Sequence, residues 1–420
     1  MTGRRTESGF SMIELIIAAL VMVLALVVVL NAFDLNTTIS RGQNDLADLQ
    51  QSMRISAREV ARRMRVGGRG GLLSRNAVAV QQNVAASTTV GTAAVVTGTD
   101  VLTVRGSLLT PIYRVDATTP GNFVVGTPSA DQATLIIDSV SASGFSQPID
   151  ALRELVDAGG VQHEPIILVS RNTDSIYAVV ELENITFQDG LPMPVLGPSA
   201  TVDRATLTLN ISPNVGTNTG DYLRLSSGAQ PLPPNPGVFP ANLTTVLFAG
   251  VLEEYRFFVR EEYSIPGNNT SRPSPKLSLS RMVPGTANTI HPSPGSAAQD
   301  IADNILDLQV ALGIDRDDDG RVDETDGGGT PLAANADEWR YNHVGDVVDT
   351  VWDDSTLRLL RFNLLGRTDA PEIARLVSRP IAAIEDHAYS EPTTPPSEAA
   401  ALERRYRRWT LQTIVDMRNL

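Results

Sequence analysis

Gly9-Phe10-Ser11-Met12-Ile13-Glu14 opens a run, Leu15-Ile16-Ile17-Ala18-Ala19-Leu20-Val21-Met22-Val23-Leu24-Ala25-Leu26-Val27-Val28-Val29-Leu30, that contains no polar residue. At about 1.5 Å per residue, about 20 apolar residues cross a hydrocarbon core of roughly 30 Å, so this run can span a bilayer as a helix. It is too long for the apolar core of a cleaved secretory signal, and Leu30-Asn31-Ala32 is a poor small-x-small cleavage site. Arg4 and Arg5 precede it, and the positive-inside tendency puts residues 1–9 in the cytoplasm and the bulk of the chain outside. Glu14 is the anomaly. An ionised carboxylate in a membrane-competent helix costs roughly 2–3 kcal/mol or more unless it finds a partner. A plain signal anchor accounts for the length of the run but not for Glu14 or the Gly9-Phe10 junction.

Small Gly9, aromatic Phe10 and a carboxylate four residues later resemble the class III signal of type IV prepilins and type II secretion pseudopilins. In that family a prepilin peptidase cuts after the glycine and the new N-terminal residue is methylated. The acid at the fifth mature position then pairs with the N-terminal amine of a neighbouring subunit. The resemblance implies processing at Gly9 and Phe10 and an assembly role for Glu14. The implied partners are the prepilin peptidase, other minor pilins and the major pilin, the inner-membrane assembly platform and inner-membrane lipid. It also implies a leader at 1–9, a membrane or fibre-core half-helix at 10–31, an amphipathic half at 32–66, and a periplasmic head at 67–420.

The sequence beyond Leu30 keeps a helical period. Leu35, Ile39, Gly42, Leu46, Leu49, Met53, Ala57, Val60 and Met64 recur at spacings of three and four, which draws one apolar stripe along a helix face. Gly67-Gly68 and Gly70-Gly71 predict its end. Arg54, Arg58, Arg62 and Arg65 follow the same spacing on another face. Two readings stay open for that strip. One is a solvated face; the other is a contact with an acidic neighbour or with a polyanion such as DNA.

The chain has 420 residues, enough for a sizeable core, and a net charge of −14. That balance argues against a broad nucleic-acid face, which needs clustered Lys and Arg. It contains no cysteine, which excludes disulfides, thiolate metal sites and a cysteine nucleophile. From about residue 76 the texture is β: Asp100-Val101-Leu102-Thr103-Val104-Arg105, 133–137, 166–169, 176–180, 205–209 and 255–259 are β-branched runs between Gly, Pro, Asn and Asp clusters. These predict strands, with short helices at 368–376 and 396–405 and loops in the Pro-rich stretches 229–240, 265–275 and 391–397. The expected fold class is α+β and pilin-like: a long N-terminal helix packed on a large, mainly antiparallel β head.

The order of features toward the C-terminus resembles the large minor pilins of the PilW family. A strand at 254–263 is followed by 277–281, 305–310, an Asp-rich loop, Asp337-Glu338-Trp339, a strand at 357–365 and a closing run at 408–415. The stretches 140–165 and 186–250 match nothing in that layout. The function implied is a structural subunit of a type IV pilus that primes, tips or stabilises the fibre. Its location would be the inner membrane, with the head in the periplasm, and then the fibre at the cell surface. The alternatives are a J-type minor pseudopilin of a type II secretion system, usually nearer half this length, and a signal-anchored periplasmic binding protein.

One constellation carries chemistry. Residues 315–326 place Asp315, Asp317 and Asp319 at positions 1, 3 and 5 of a twelve-residue calcium loop, followed by Gly320 at the turn. Arg321 offers a backbone carbonyl at position 7, Val322 is the apolar residue at 8, and Asp323 and Asp326 fill 9 and 12. Ca²⁺ needs about 6–8 oxygens, and alternating carboxylates in a curled loop converge on one point. Asp at position 12 shortens the reach of the usual Glu, and 305–314 reads as a strand rather than an entering helix. The expectation is a structural Ca²⁺ staple in a head that has no disulfide. His163, His291, His343 and His387 show no ligand spacing, and no nucleophile elbow, P-loop or dinucleotide fingerprint occurs. Enzymatic activity is not expected.

Overall fold

The computed structural model describes residues 11–70, 72, 77–115, 121–140, 144–157, 160–161, 164–170, 177–192, 201–211, 243–263, 265, 273–284, 288–293, 295–315, 320–322, 338–344, 357–371 and 376–417. One helix, α1 (Met12–Met64), is 53 residues long, about 80 Å at 1.5 Å per residue. It closes on Arg65 just before the glycine pair. Gly68, at φ 74°, lets the chain reverse. The turn is tied to the head by Gly68 N–H to Arg105 O at 2.9 Å and Ser107 N–H to Arg69 O at 2.8 Å.

The head is built from antiparallel sheets, as the β-branched runs predict. A five-stranded sheet runs β1 (Val78–Gln81), β4 (Val101–Gly106), β14 (Glu253–Arg260), β15 (Lys276–Met282), β16 (Gln299–Asp303). A four-stranded sheet runs β18 (Trp339–Arg340), β17 (Ile305–Ile314), β19 (Leu357–Arg367), β22 (Arg408–Asp416). Strands β16 and β17 are separated by Asn304 alone, at φ 58°. Asn tolerates that left-handed conformation better than most residues, and the kink sends consecutive strands into different sheets. A seven-stranded sheet runs β5 (Ile112–Arg114), β13 (Val246–Val251), β10 (Pro165–Ser170), β11 (Tyr177–Pro192), β12 (Thr201–Asn210), β7 (Gln132–Asp138), β6 (Phe123–Val125). Three two-stranded ribbons complete the set: β2 (Thr89–Val90) with β3 (Ala93–Ala94), β8 (Val156–Asp157) with β9 (Gly160–Val161), and β20 (Ala383–Ile384) with β21 (His387–Ala388).

The main core joins α1 to the five- and four-stranded sheets. Leu49, Met53, Val60 and Met64 pack with Leu102, Phe257, Leu279, Val310, Phe362 and Val415. Burying each such side chain contributes about 1.5–3 kcal/mol. Gly366 on β19 makes the close approach, since a Cβ there would stand 2.8 Å from Leu49 Cδ1 and 2.9 Å from Met53 Sδ. The apolar stripe docks only from Leu49 onward: Leu35 and Ile39 are exposed, and Gly42 and Leu46 are half-buried. The expected packing of 32–66 is therefore confined to its C-terminal half, because the head ends where Leu49 begins. A second core lies on the seven-stranded sheet, where Leu135, Leu168, Val180 and Leu207 pack against Ile149, Leu152 and Leu155. The short helix Glu398–Glu403 forms inside the expected 396–405, capped by the Ser397 hydroxyl, which accepts the Ala400 N–H at 3.2 Å. Residues 368–371 are not helical; 372–375 lie outside the described residues.

Candidate functional site

Gly9 and Phe10 lie outside the described residues, so the N-terminal site begins at Ser11. Ser11 is the N-cap of α1 and Glu14 its third helical residue. The Ser11 hydroxyl accepts the Ile13 N–H at 3.3 Å, and Glu14 Oε2 accepts the Ser11 N–H at 3.2 Å. This is a capping box, in which two of the four orphan donors of a helix start are satisfied reciprocally. The signal was present in the sequence as Ser-x-x-Glu before an apolar run, and it gives Glu14 a local role that needs no second chain. From Met12 to Leu30 the large apolar side chains are exposed. Among the described residues α1 is the one helix long and apolar enough to cross a membrane.

The calcium-loop residues are only partly described. Asp315 directly follows β17, which is a strand as expected, and its side chain is fully buried. Its Oδ2 accepts the Gly320 N–H at 2.9 Å and also pairs with the Arg358 guanidinium. Oδ1 is buried and, among the described residues, no donor reaches it. An orphaned buried carboxylate oxygen costs free energy unless a cation or proton compensates it. Gly320 adopts φ +89°, with nothing within 4 Å of where a Cβ would stand. Val322 lies over the strand, its Cγ1 3.0 Å from a Cβ built on Gly313. Arg321 is exposed. Asp317, Asp319, Asp323 and Asp326 lie outside the described residues, and among the described ones no three His, Asp or Glu side chains come together as a metal site. What is described fits a hard cation at one atom, Asp315 Oδ1.

Two histidines that look scattered in sequence prove to be paired. His291 and Glu164 are both buried and meet through Nε2 and Oε1. His291 Nδ1 accepts the Ser293 N–H at 3.1 Å, so Nε2 carries the proton and donates it to Glu164. With both ring nitrogens committed, neither is left to act as a general base. Asp307 Oδ2 meets His387 Nδ1 at 3.1 Å and accepts the Tyr389 hydroxyl. Asp307 Oδ1 accepts from Gln309 Nε2 at 2.8 Å. Burial and the neighbouring Asp307 carboxylate push the Tyr389 phenol pKa up, so it remains a donor. These groups pin the β20–β21 ribbon onto β17. A third cluster is ionic: buried Glu254 pairs with Arg105 at 2.7 Å and with Arg256 at 2.6 Å. His343 is exposed, and His163 lies outside the described residues.

The arginine strip on α1 is exposed at Arg54, Arg58, Arg62 and Arg65. Glu59 bonds both Arg62 and Arg63, at 2.9 Å each, and Arg63 stacks 4.3 Å above the Tyr255 ring. Comparison with family models, curated proteins and solved structures found no match.

Proposed function

We propose that the chain is a minor pilin: a membrane-anchored subunit that enters a type IV pilus after cleavage between Gly9 and Phe10. The observation that carries this reading is the form of α1. It is a single unbroken helix, exposed and apolar at its start, with a carboxylate at its third position and a β head docked on its far end. A hydrocarbon core covers about 20 residues of it. Phe33, Leu35 and Ile39 follow, at 68%, 63% and 47% exposure, and an anchor in lipid leaves these apolar groups in water. Lateral packing of neighbouring helices in a fibre would cover them. Phe10 would supply the amine and Glu14 the charge that pair when the helix leaves the bilayer. The same architecture serves a J-type minor pseudopilin.

Calcium is the proposed structural ion of the head. Asp315 through Oδ1, the side chains of Asp317, Asp319, Asp323 and Asp326, and the Arg321 carbonyl would hold it. The bound ion would relieve the repulsion of seven acids within residues 315–326.

The capping box favours a second reading, a plain signal anchor carrying a periplasmic binding domain, because it employs Glu14 within its own helix. Glu14→Gln separates the two. Glutamine still accepts the Ser11 N–H but cannot pair with an amine as a charge. In the pilus reading Glu14→Gln fails to enter fibres, as does Glu14→Val. Assembly of the Gln variant at the level of the unsubstituted chain would end the pilus reading of Glu14. The intact mass of the chain from cells with and without prepilin peptidase adds an independent result. A mature chain starting at methylated Phe10, made only with the peptidase, is expected.

A further inference from the structure

One face of α1 is dressed for a partner that the chain itself does not supply. Ala47, Gln50, Gln51, Arg54, Ile55 and Arg58 line a shallow groove along the helix, on the side away from buried Leu49, Met53, Val60 and Met64. Ile55 is 55% exposed and is the one large apolar side chain left open on α1 beyond Ile39 among the described residues. Arg54 and Arg58 flank it and are exposed; no hydrogen bond or ion pair occupies either among the described residues. By contrast Arg62 and Arg63 are engaged by Glu59. An apolar anchor bordered by arginines is the composition of an interface centre rather than of a solvated helix face.

Charge indicates the occupant. Residues 54–69 hold six arginines against one glutamate, +5 in a chain of −14, so the remainder carries −19. We propose that this face of α1 docks on the acidic head of a second copy of the chain. The contact joins two different surfaces of the same molecule, so it is heterologous and can propagate from copy to copy. Roughly 55–60% of a folded surface is apolar atoms, so a head that carries −17 over residues 70–420 can meet Ile55 as well as the two arginines. A nucleic acid offers no such apolar surface and must also pass the acidic remainder of the chain. The contact does not depend on the pilus reading, since an anchored protein would make it within one membrane.

Because the chain has no cysteine, Gln51→Cys in the purified full chain in detergent micelles can carry a benzophenone maleimide as the sole label. Illumination is expected to give a covalent dimer, twice the 45.0 kDa chain, with the attached peptide lying in residues 67–420. Adding Arg54→Glu and Arg58→Glu, or raising salt to about 1 M, where the Debye length is about 3 Å, should lower the yield about tenfold. Circular dichroism of the reversed variant should be unchanged, because both positions are exposed. Any of four results would overturn the proposal: no dimer, a dimer linked only α1 to α1, a yield indifferent to charge reversal, or an adduct that forms only with added duplex DNA.

Discussion

Calcium should raise the unfolding temperature of this protein, and the environment of Asp315 sets the scale. The side chain is fully buried, with Oδ2 taken by the Gly320 N–H and Arg358 and Oδ1 without a donor among the described residues. An extracellular-type loop binds Ca²⁺ with a dissociation constant of about 10⁻⁴–10⁻³ M. At about 10 mM ion, binding to the folded state alone contributes about 1.4–2.7 kcal/mol. A domain of 150–250 residues gains about 2–4 °C per kcal/mol and a larger one less, so the shift should be about 2–5 °C. Trp339 is buried on β18 of the same sheet and 4.2 Å from the Arg361 guanidinium, so its fluorescence should follow the melting of that region. The full chain in detergent would be heated in CaCl₂, MgCl₂ and EDTA, with Asp315→Asn beside it. The variant should be less stable in EDTA, since it loses the charge facing Arg358, and should show no further response to Ca²⁺. A Ca²⁺ shift below about 0.5 °C, an equal Mg²⁺ shift, or a full response in Asp315→Asn would refute the reasoning.

Four further outcomes test the frame around these sites. Glu254→Gln should cost about 3–5 kcal/mol, because it removes a buried carboxylate charge that both Arg105 and Arg256 bond. Glu59→Gln on the partly open face of α1 should cost under about 1 kcal/mol; both are read as urea midpoints. Gly366→Ala should destabilise by about 1–3 kcal/mol through overpacking against Leu49 and Met53, and limited proteolysis should then cut α1 faster near those residues. Asp100 supplies a pH dependence. Burial pushes its carboxyl well above the usual range, against the pull of the Asn83 and Val310 N–H groups, with Asp386 and Asp307 adding to the rise. The folded state therefore holds that proton more tightly than the unfolded chain. The contribution is present at low pH and is lost as pH rises from the ordinary value of 3.8 through the raised one. Unfolding midpoints measured across this range should fall less steeply in Asp100→Asn than in the unsubstituted chain.

The parts of the fold legible in the sequence are those with a local period. Of the stripe on α1, Leu49, Met53, Ala57, Val60 and Met64 are buried, joined by Ser56 and Ala61, which the period does not include. The runs at 133–137, 166–169, 205–209 and 255–259 fall inside β7, β10, β12 and β14. Strand β11 was legible only over its first residues. Register shifts between Leu182 and Asn184 and between Gln188 and Leu191 break the alternation that a reader of sequence follows. Strand β13 (Val246–Val251) is not among the expected runs, although Thr244-Thr245-Val246-Leu247-Phe248 is β-prone. The polar staples were not legible at all. Glu164 and His291 are 127 residues apart and Asp307 and His387 80 apart, and no spacing rule reaches across such distances.

Glu14 shows how a correct local reading can still leave function open. Its cap to Ser11 is worth about 0.5–2 kcal/mol at a helix start, and glutamine serves that purpose as well as glutamate. Retaining the ionised form next to sixteen apolar residues opposes membrane burial by a comparable or larger amount. A chain selected only for a stable anchor would gain by exchanging the acid for glutamine. The charge itself is therefore the feature that needs a reason, and a mobile cation within reach of the third helical position would provide one. The free amine of a cleaved neighbour is such a cation; lipid headgroups are another. Glu14→Gln tests the charge with the cap held constant, and the N-terminal mass tests whether the amine is ever made. A chain that is cleaved yet indifferent to Glu14→Gln would mean that the fibre is held by the apolar stripe through Leu35 and Ile39 rather than by the ion pair.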